Sequence, residues 1–235
     1  MKTMLVTGAS SGLGRAVALH FAARGYTVCA LARSREKLAA LAEAAKADGH
    51  RIVPCPADVR HAEEVESAVA RCLEECGAID VLVNNAGINP KREPTNPELI
   101  DRVIDTNLKG AMYTTFAVLP AMQAAGGGHV VNIASIAGVD VLPRGSDGLY
   151  GASKHGLVAF SELVGKKYRS AGIRVTALCP GGIDTPLWNQ HNPYPFDTEE
   201  MIRPEEVAEL IEYVLAQPRR TLFKSVVFVP AVEEW

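Results

Sequence analysis

Thr7-Gly8-Ala9-Ser10-Ser11-Gly12-Leu13-Gly14 decides the fold. It closes an apolar run, residues 4–7, and passes straight into a helical pattern over residues 13–24 that stops at Gly25. Each glycine answers a separate need. Gly8 permits the tight turn out of the strand, Gly12 lets the backbone approach a pyrophosphate, and Gly14 lets the helix lie close to the sheet. The unpaired amides of the helix start, with the positive end of its dipole, then face the phosphates. Three glycines at this spacing carry little by themselves; a strand leading in and a helix leading out make them a dinucleotide-binding turn.

Outward from this turn, short apolar runs alternate with longer helical patterns. The strand-like runs are residues 4–7, 27–32, 51–54, 79–84, 129–134, 174–179 and 225–229. Most are apolar throughout, as parallel strands covered on both faces are. Helical patterns occupy 13–24, 34–48, 62–76, 97–125, 150–171 and 204–216, several closed by glycine and the last opened by Pro204. This order predicts an α/β fold: a single doubly wound Rossmann-type domain over residues 1–235, with a parallel seven-stranded sheet and helices on both faces. No internal repeat, low-complexity tract or linker divides it.

The 235 residues are 48% hydrophobic and 22% charged with a net charge of −3, which allows a large core and offers no basic field to nucleic acid or an anionic membrane. The adjacent basic pairs Lys91-Arg92, Lys166-Lys167 and Arg219-Arg220 are too short to track phosphates. No stretch approaches the ~20 apolar residues of a membrane span. The strand-like start at Met4 leaves no room for a signal peptide, so a cytoplasmic location is expected. The cysteines Cys29, Cys55, Cys72, Cys76 and Cys179 are odd in number and form no CxxC pair. They predict neither a disulfide framework nor a metal site: Cys72 and Cys76 lie one helical turn apart without further ligands, and Cys29 and Cys179 read as small core residues.

Ala32-Arg33 closes the second strand, where a carboxylate would hold both ribose hydroxyls of NAD and repel a 2′-phosphate. An arginine suits that phosphate, so NADP(H) is favoured over NAD(H), with Ser11 where a second basic residue would have strengthened the preference. Tyr150 and Lys154 lie four apart on the fifth helical pattern and share a face. A phenol with a pKa near ~10 is a poor acid–base group at neutral pH. An ammonium about 4 Å away, at an effective dielectric near ~20, stabilises the phenolate by roughly 4 kcal/mol before desolvation. That is about three pKa units, so Tyr150 is expected to titrate near physiological pH. Ser135 ends the fifth strand after Asn132-Ile133-Ala134, and Asn84-Asn85-Ala86-Gly87 ends the fourth. With Pro180-Gly181-Gly182-Ile183-Asp184-Thr185 after the sixth, these strand ends bring small or polar residues to one crevice.

Together these segments resemble the short-chain dehydrogenase/reductase family, in its compact single-domain branch, over nearly the whole chain. Residues 7–14, Asp58-Val59, residues 84–87, Asn107, Ser135, Tyr150 with Lys154, and residues 180–185 stand in the family's order. The resemblance implies an oxidoreductase that moves a hydride between NADP(H) and a carbonyl or alcohol carbon of a small molecule. It implies that Ser135 holds the carbonyl, Tyr150 is the general acid/base, Lys154 orients the nicotinamide ribose, and Asn107 holds a water linking Lys154 to solvent. The implied cofactor lining is Gly8, Ser10, Ser11, Gly12, Leu13 and Gly14, then Arg33, with Asp58 and Val59 near the adenine. Asn85, Ala86 and Gly87 support the adenosine side, Tyr150, Lys154, Pro180 and Gly181 continue the wall, and Ile183 and Thr185 lie near the carboxamide. A homodimer or homotetramer through the patterns 97–125 and 150–171 is implied as well.

Residue chemistry alone leaves open a nucleotide-sensing protein that has kept this fold without catalysis, and an NAD-preferring dehydrogenase. Two segments depart from the family. The Ser135-to-Tyr150 stretch, with Pro143-Arg144-Gly145-Ser146-Asp147-Gly148, is longer than usual and predicts a reshaped pocket rim, and the tail from Pro230 to Trp235 lacks a Gly-rich close. The aromatic stretch 186–198, with Trp188, Tyr194 and Phe196, is expected to cover the substrate. His155 lies on a different helix face from Lys154 and is expected to pack or to be exposed.

Overall fold

The computed structural model describes residues 2–90, 96–140, 148–188, 193–195 and 197–233. Its strands are β1 (Thr3–Thr7), β2 (Thr27–Ala32), β3 (Ile52–Pro56), β4 (Val81–Asn84), β5 (Gly128–Ile133), β6 (Ile173–Pro180) and β7 (Ser225–Phe228). They form one parallel sheet in the order β3-β2-β1-β4-β5-β6-β7. β1 and β2 are buried at every position, which is why they read as unbroken apolar runs. Helices α1 (Gly12–Ala23), α2 (Arg35–Ala47) and, far along the chain, Pro204–Ala216 press Val17, Phe21, Leu38, Leu41, Val207 and Ile211 onto one face. Helix α3 (Ala62–Cys76) and the segments Gly110–Ala124 and Leu149–Lys167 press Val65, Val69, Val118, Met122, Leu157 and Val164 onto the other. Strand order reverses between β1 and β4, so the loops beyond their carboxyl ends part and open a crevice. No helix among the described residues is long and apolar enough to cross a membrane.

The helical pattern 97–125 is not one helix. Helix α4 (Pro97–Ile104) and α5 (Gly110–Ala124) are joined by a π-helical turn, Asp105–Lys109, that carries fully buried Asn107. Leu99, Val103, Asn107 and Ala111 all face inward at intervals of four. An α-helix overshoots by about 40° at each such step, and the wider i→i+5 turn absorbs the excess. The next pattern also divides: α6 (Leu149–Lys167) stops short of the 3-10 turn Arg169–Ala171, which ends on Gly172 at φ +75°. The last helix, α7 (Pro204–Ala216), keeps its expected bounds.

Cys29 and Cys179 are buried in the core as expected, but the expectation of no disulfide is overturned. Cys29 on β2 and Cys72 on α3 are joined as a disulfide across 43 residues of sequence, and Cys76 stands beside them. Sequence spacing does not disclose such a pairing, because only packing α3 on the sheet brings β2 within reach.

Asn84 and Asn132 also do something other than line the crevice. They are partners in the β4–β5 register, and Asn84 Nδ2 donates to Asn132 Oδ1 (2.8 Å) and Thr115 Oγ1 (2.9 Å). Thr114 Oγ1 donates to Asn84 Oδ1, and Asn132 Nδ2 donates to Ser161 Oγ at 2.7 Å. This buried polar seam ties the sheet centre to α5 and α6, with its groups partnered as burial demands.

Candidate active site

The crevice is a cleft of about 1450 Å³ whose wall takes residues from the ends of β1, β2, β3, β4, β5 and β6. Of the residues singled out in the sequence, Gly8, Ser10, Ser11, Gly12, Leu13, Arg33, Asp58, Val59, Asn85, Ala86, Gly87, Ser135, Tyr150, Lys154, Pro180, Gly181, Ile183 and Thr185 all line it. Gly14 and Asn107 are not in the wall; they act from behind it.

At the glycine turn, Gly8 and Gly12 have φ of +68° and +49°, a region that favours glycine. A Cβ on Gly14 would collide with the Gly8 carbonyl oxygen and lie 2.5 Å from Asn85 Nδ2, so α1 begins directly against the turn's backbone. Asn85 Nδ2 donates to the Thr7 carbonyl (2.9 Å), and Thr7 Oγ1 accepts from the amides of Asn85 and Ala86 at 3.0 Å each. The end of β4 is thereby fastened to the end of β1. Ser11 precedes α1 without a side-chain bond to its first turn.

Beyond β2, Arg33, Ser34, Lys37 and Arg60 share the wall. Ser34 caps α2 by accepting from the Lys37 amide at 3.2 Å. Arg60 grips Asp58, its Nε donating to Oδ1 at 3.1 Å and its Nη2 to Oδ2 at 2.6 Å. Burial pushes the Asp58 carboxyl up, but the bonds and charge of Arg60, with the charge of Arg33, hold it below its ordinary value. Lys37 and Arg60 were not singled out in the sequence. Both had a signal: Lys37 is in the first turn of the helix after Arg33, and Arg60 follows two residues after Asp58.

At the opposite end stand Ser135, Tyr150 and Lys154. Ser135 is buried after β5, its Oγ accepts from the Ala137 amide at 3.1 Å, and its hydroxyl acts on the Tyr150 phenol, favouring the charged form. Lys154 is buried too; its Nζ donates to the Ile133 carbonyl (2.8 Å) and lies 5.6 Å from the centroid of the Tyr150 ring. The expected acid phenol is not what this geometry makes. Burial pushes the Tyr150 phenol up to about 12, against the Ser135 bond, and the ammonium drawn onto the Ile133 carbonyl does not reverse it. Burial brings Lys154 down to about 8, with Cys179 acting the other way. Desolvation, not the Coulomb attraction that spacing alone suggested, sets the direction of the Tyr150 shift.

Asn107 works through its whole amide. Nδ2 donates to the Ile88 carbonyl (2.9 Å) and to Ser153 Oγ (3.1 Å), while Oδ1 accepts from the Ile88 amide at 2.8 Å. It thus pins the segment after β4 against the turn of α6 that bears Lys154, and the π-helical turn is what aims it there. A Cβ on Gly87 would sit 3.5 Å from both Asn107 Oδ1 and Lys154 Nζ, an ordinary contact distance, so the residue lies directly against that junction.

One part of the cleft rim is aromatic. Trp188 and Tyr194 meet edge to face at 4.9 Å and line the cleft. The Tyr194 hydroxyl and the Gly182 amide both donate to Glu233 Oε1, each at 2.8 Å, so the chain's tail clasps the rim. No local signal marks Glu233, which is 51 residues from Gly182. Phe196 and residues 141–147, the expected lengthened rim, lie outside the described residues. His155 is exposed and donates to the Gly151 carbonyl.

With this geometry in view, the family model described as short chain dehydrogenase matches residues 2–194. An uncharacterized oxidoreductase of Staphylococcus saprophyticus is 35% identical over 232 residues, 97% of each chain. Among solved structures, actinorhodin polyketide ketoreductase with NADPH superposes with a TM-score of 0.88 at 31% identity, over 100% of this chain and 98% of that one. An alcohol dehydrogenase from the archaeon Thermococcus sibiricus, complexed with 5-hydroxy-NADP, gives a TM-score of 0.89 at 27% identity, over 100% and 98%.

Proposed function

Because the chain belongs to the short chain dehydrogenase family, we propose that it interconverts a small carbonyl compound and its alcohol with NADP(H), acting as one cofactor-binding domain. The observation that carries this reading is a single cleft with Ser135, Tyr150 and Lys154 at one end and the glycine turn and Arg33 at the other. The wall fits a dinucleotide: the tight Gly8–Gly14 approach leaves room for a pyrophosphate, and the basic group beyond β2 suits a further phosphate. The nicotinamide, when bound, supplies or accepts the hydride.

The chain's own residues handle the proton. Ser135 holds the carbonyl oxygen, and Tyr150, neutral at pH 7, donates its proton to that oxygen as negative charge develops. Lys154, a cation below about pH 8, stabilises the tyrosinate left behind and orients the nicotinamide ribose, as the family likeness implies. Asn107 is a positioning residue that ties the Ile88 segment to Ser153, next to Lys154. NADPH consumption with a panel of ketones, aldehydes and quinones tests the reading. Turnover with an apolar carbonyl compound is expected, whereas tight NADPH binding with no turnover across the panel would favour the nucleotide-sensing alternative.

The preference for NADP(H) rests on Arg33, Lys37 and Arg60 and on the lack of a carboxylate at the end of β2. Arg33→Ala is expected to raise KM for NADPH by about 10- to 100-fold, the worth of a charge-assisted hydrogen bond, and to leave KM for NADH nearly unchanged. Equal losses with both cofactors would take Arg33 away from the 2′-phosphate.

Self-association through α5 and α6 is supported by their outward apolar side chains, Phe116 at 50% and Leu163 at 65% exposure. Light scattering at micromolar concentration is expected to give a homodimer or homotetramer mass, and Leu163→Glu to lower it. A wild-type monomer would refute the assembly.

A further inference from the structure

The layer between the sheet and α3 holds a group of sulfurs that the cleft does not use. Cys29 and Cys72 are fully buried and joined, with Cα atoms 6.1 Å apart. Cys76, one helical turn along α3, is half-buried, and its Sγ lies 3.7 Å from Cys29 Sγ. All three sulfurs fall within 4.8 Å of one another, and none belongs to the nucleotide cleft.

We propose that Cys29, Cys72 and Cys76 form a thiol–disulfide exchange site, in which Cys76 meets a small external thiol or disulfide and Cys29 passes the bond to and from Cys72. Exchange proceeds by attack of a thiolate on a disulfide sulfur, so it needs a sulfur that solvent can reach and a close file of partners behind it. The joined pair offers no surface to a reductant, which would otherwise have to wait for α3 to open from the sheet. Cys76 removes that requirement. Its i,i+4 relation to Cys72 puts both sulfurs on the helix face above β2, and only Cys76 reaches the margin.

The steps balance. The Cys76 thiolate attacks Cys29 Sγ, the Cys29–Cys72 bond breaks, a Cys29–Cys76 bond forms, and Cys72 leaves with a proton. An external dithiol then attacks Cys76, freeing Cys29 as a thiol. Its second sulfur closes on the first, releasing Cys76 and leaving the dithiol as a cyclic disulfide. Two electrons pass from the dithiol to the protein. Oxidation by a linear disulfide such as oxidised glutathione runs the sequence backwards and releases two molecules of reduced thiol. Three thiolates would also suit a soft metal ion, but two sulfurs bonded to each other are not thiolate donors.

The test begins with the folded chain treated with oxidised glutathione, then reduced with dithiothreitol, quenched in acid at intervals, and mapped by peptide mass spectrometry. Opening of Cys29–Cys72 is expected to be about tenfold or more slower in Cys76→Ser than in wild type, and unchanged in Cys55→Ser. Equal rates in wild type and Cys76→Ser would overturn the proposal. A measurement on wild type alone guards against a variant that does not fold: glutathione trapped on Cys76, or a transient Cys29–Cys76 pair, is expected. Glutathione confined to other cysteines, or no closure of Cys29–Cys72, would overturn it. So would stoichiometric uptake of Zn(II) by the reduced trio that blocks closure.

Discussion

Tyr150→Phe is expected to lower kcat for carbonyl reduction by about a thousandfold while NADPH still binds, as the loss of a general acid does. The substitution removes only the hydroxyl that holds the transferable proton; the ring keeps its packing beside Lys154, and Ser135 remains to hold the carbonyl. Because burial holds the phenol up at about 12, the proton is in place across the neutral range. The limb that does titrate belongs to Lys154, brought down to about 8. Raising the pH through that value removes the cation that stabilises the tyrosinate, so wild-type kcat is expected to be flat below about pH 8 and to fall above it. Steady-state rates across pH, with a fluorescence titration of NADPH for each protein, measure both effects. Equal kcat in wild type and variant would take Tyr150 out of the chemistry.

Gly14→Ala carries the second large effect, and it acts on cofactor binding and stability together. The added methyl meets the Gly8 backbone carbonyl and Asn85 Nδ2, a side-chain tip held by its bond to the Thr7 carbonyl. Overpacking typically costs about 1–3 kcal/mol, and rigid backbone on the far side puts this position at the upper end. The displaced turn is also the turn that would cradle the pyrophosphate, so NADPH affinity is expected to fall by about tenfold or more. Gly25→Ala is the control. Its Cβ meets nothing within 4 Å, but its φ of +80° imposes a strain of about 1–2 kcal/mol. Urea unfolding should therefore register both variants and NADPH titration only the first. Unchanged affinity in Gly14→Ala would separate α1 from the cofactor.

Much of the fold was legible because burial on both faces writes itself into the chain. β1 and β2 are apolar apart from their end threonines since every position is covered, and the glycine turn sits between elements whose types are unmistakable. The π-helical turn was less visible, though the four-residue spacing of Leu99, Val103, Asn107 and Ala111 is a signal that a strict α-helix would not keep facing inward. Ser135, Tyr150 and Lys154 could be named from the sequence, yet their proton affinities could not. Spacing reports which groups are neighbours, whereas the sign of a pKa shift depends on how much water the fold removes. Glu233 and the Cys29–Cys72 pair were out of reach for a simpler reason: each acts on a residue placed beside it only by tertiary packing.

The seam joining Asn84, Asn132 and Ser161 has a consequence for how such a protein can diversify. A one-residue slip between β4 and β5 would strand amide groups in hydrocarbon, so their alignment tolerates no drift. That alignment, made away from the mouth of the cleft, sets where Ser135 emerges. The Trp188–Tyr194 lip and the Glu233 tail lie outside that alignment, so substitutions there are expected to reshape the mouth while Ser135 keeps its place.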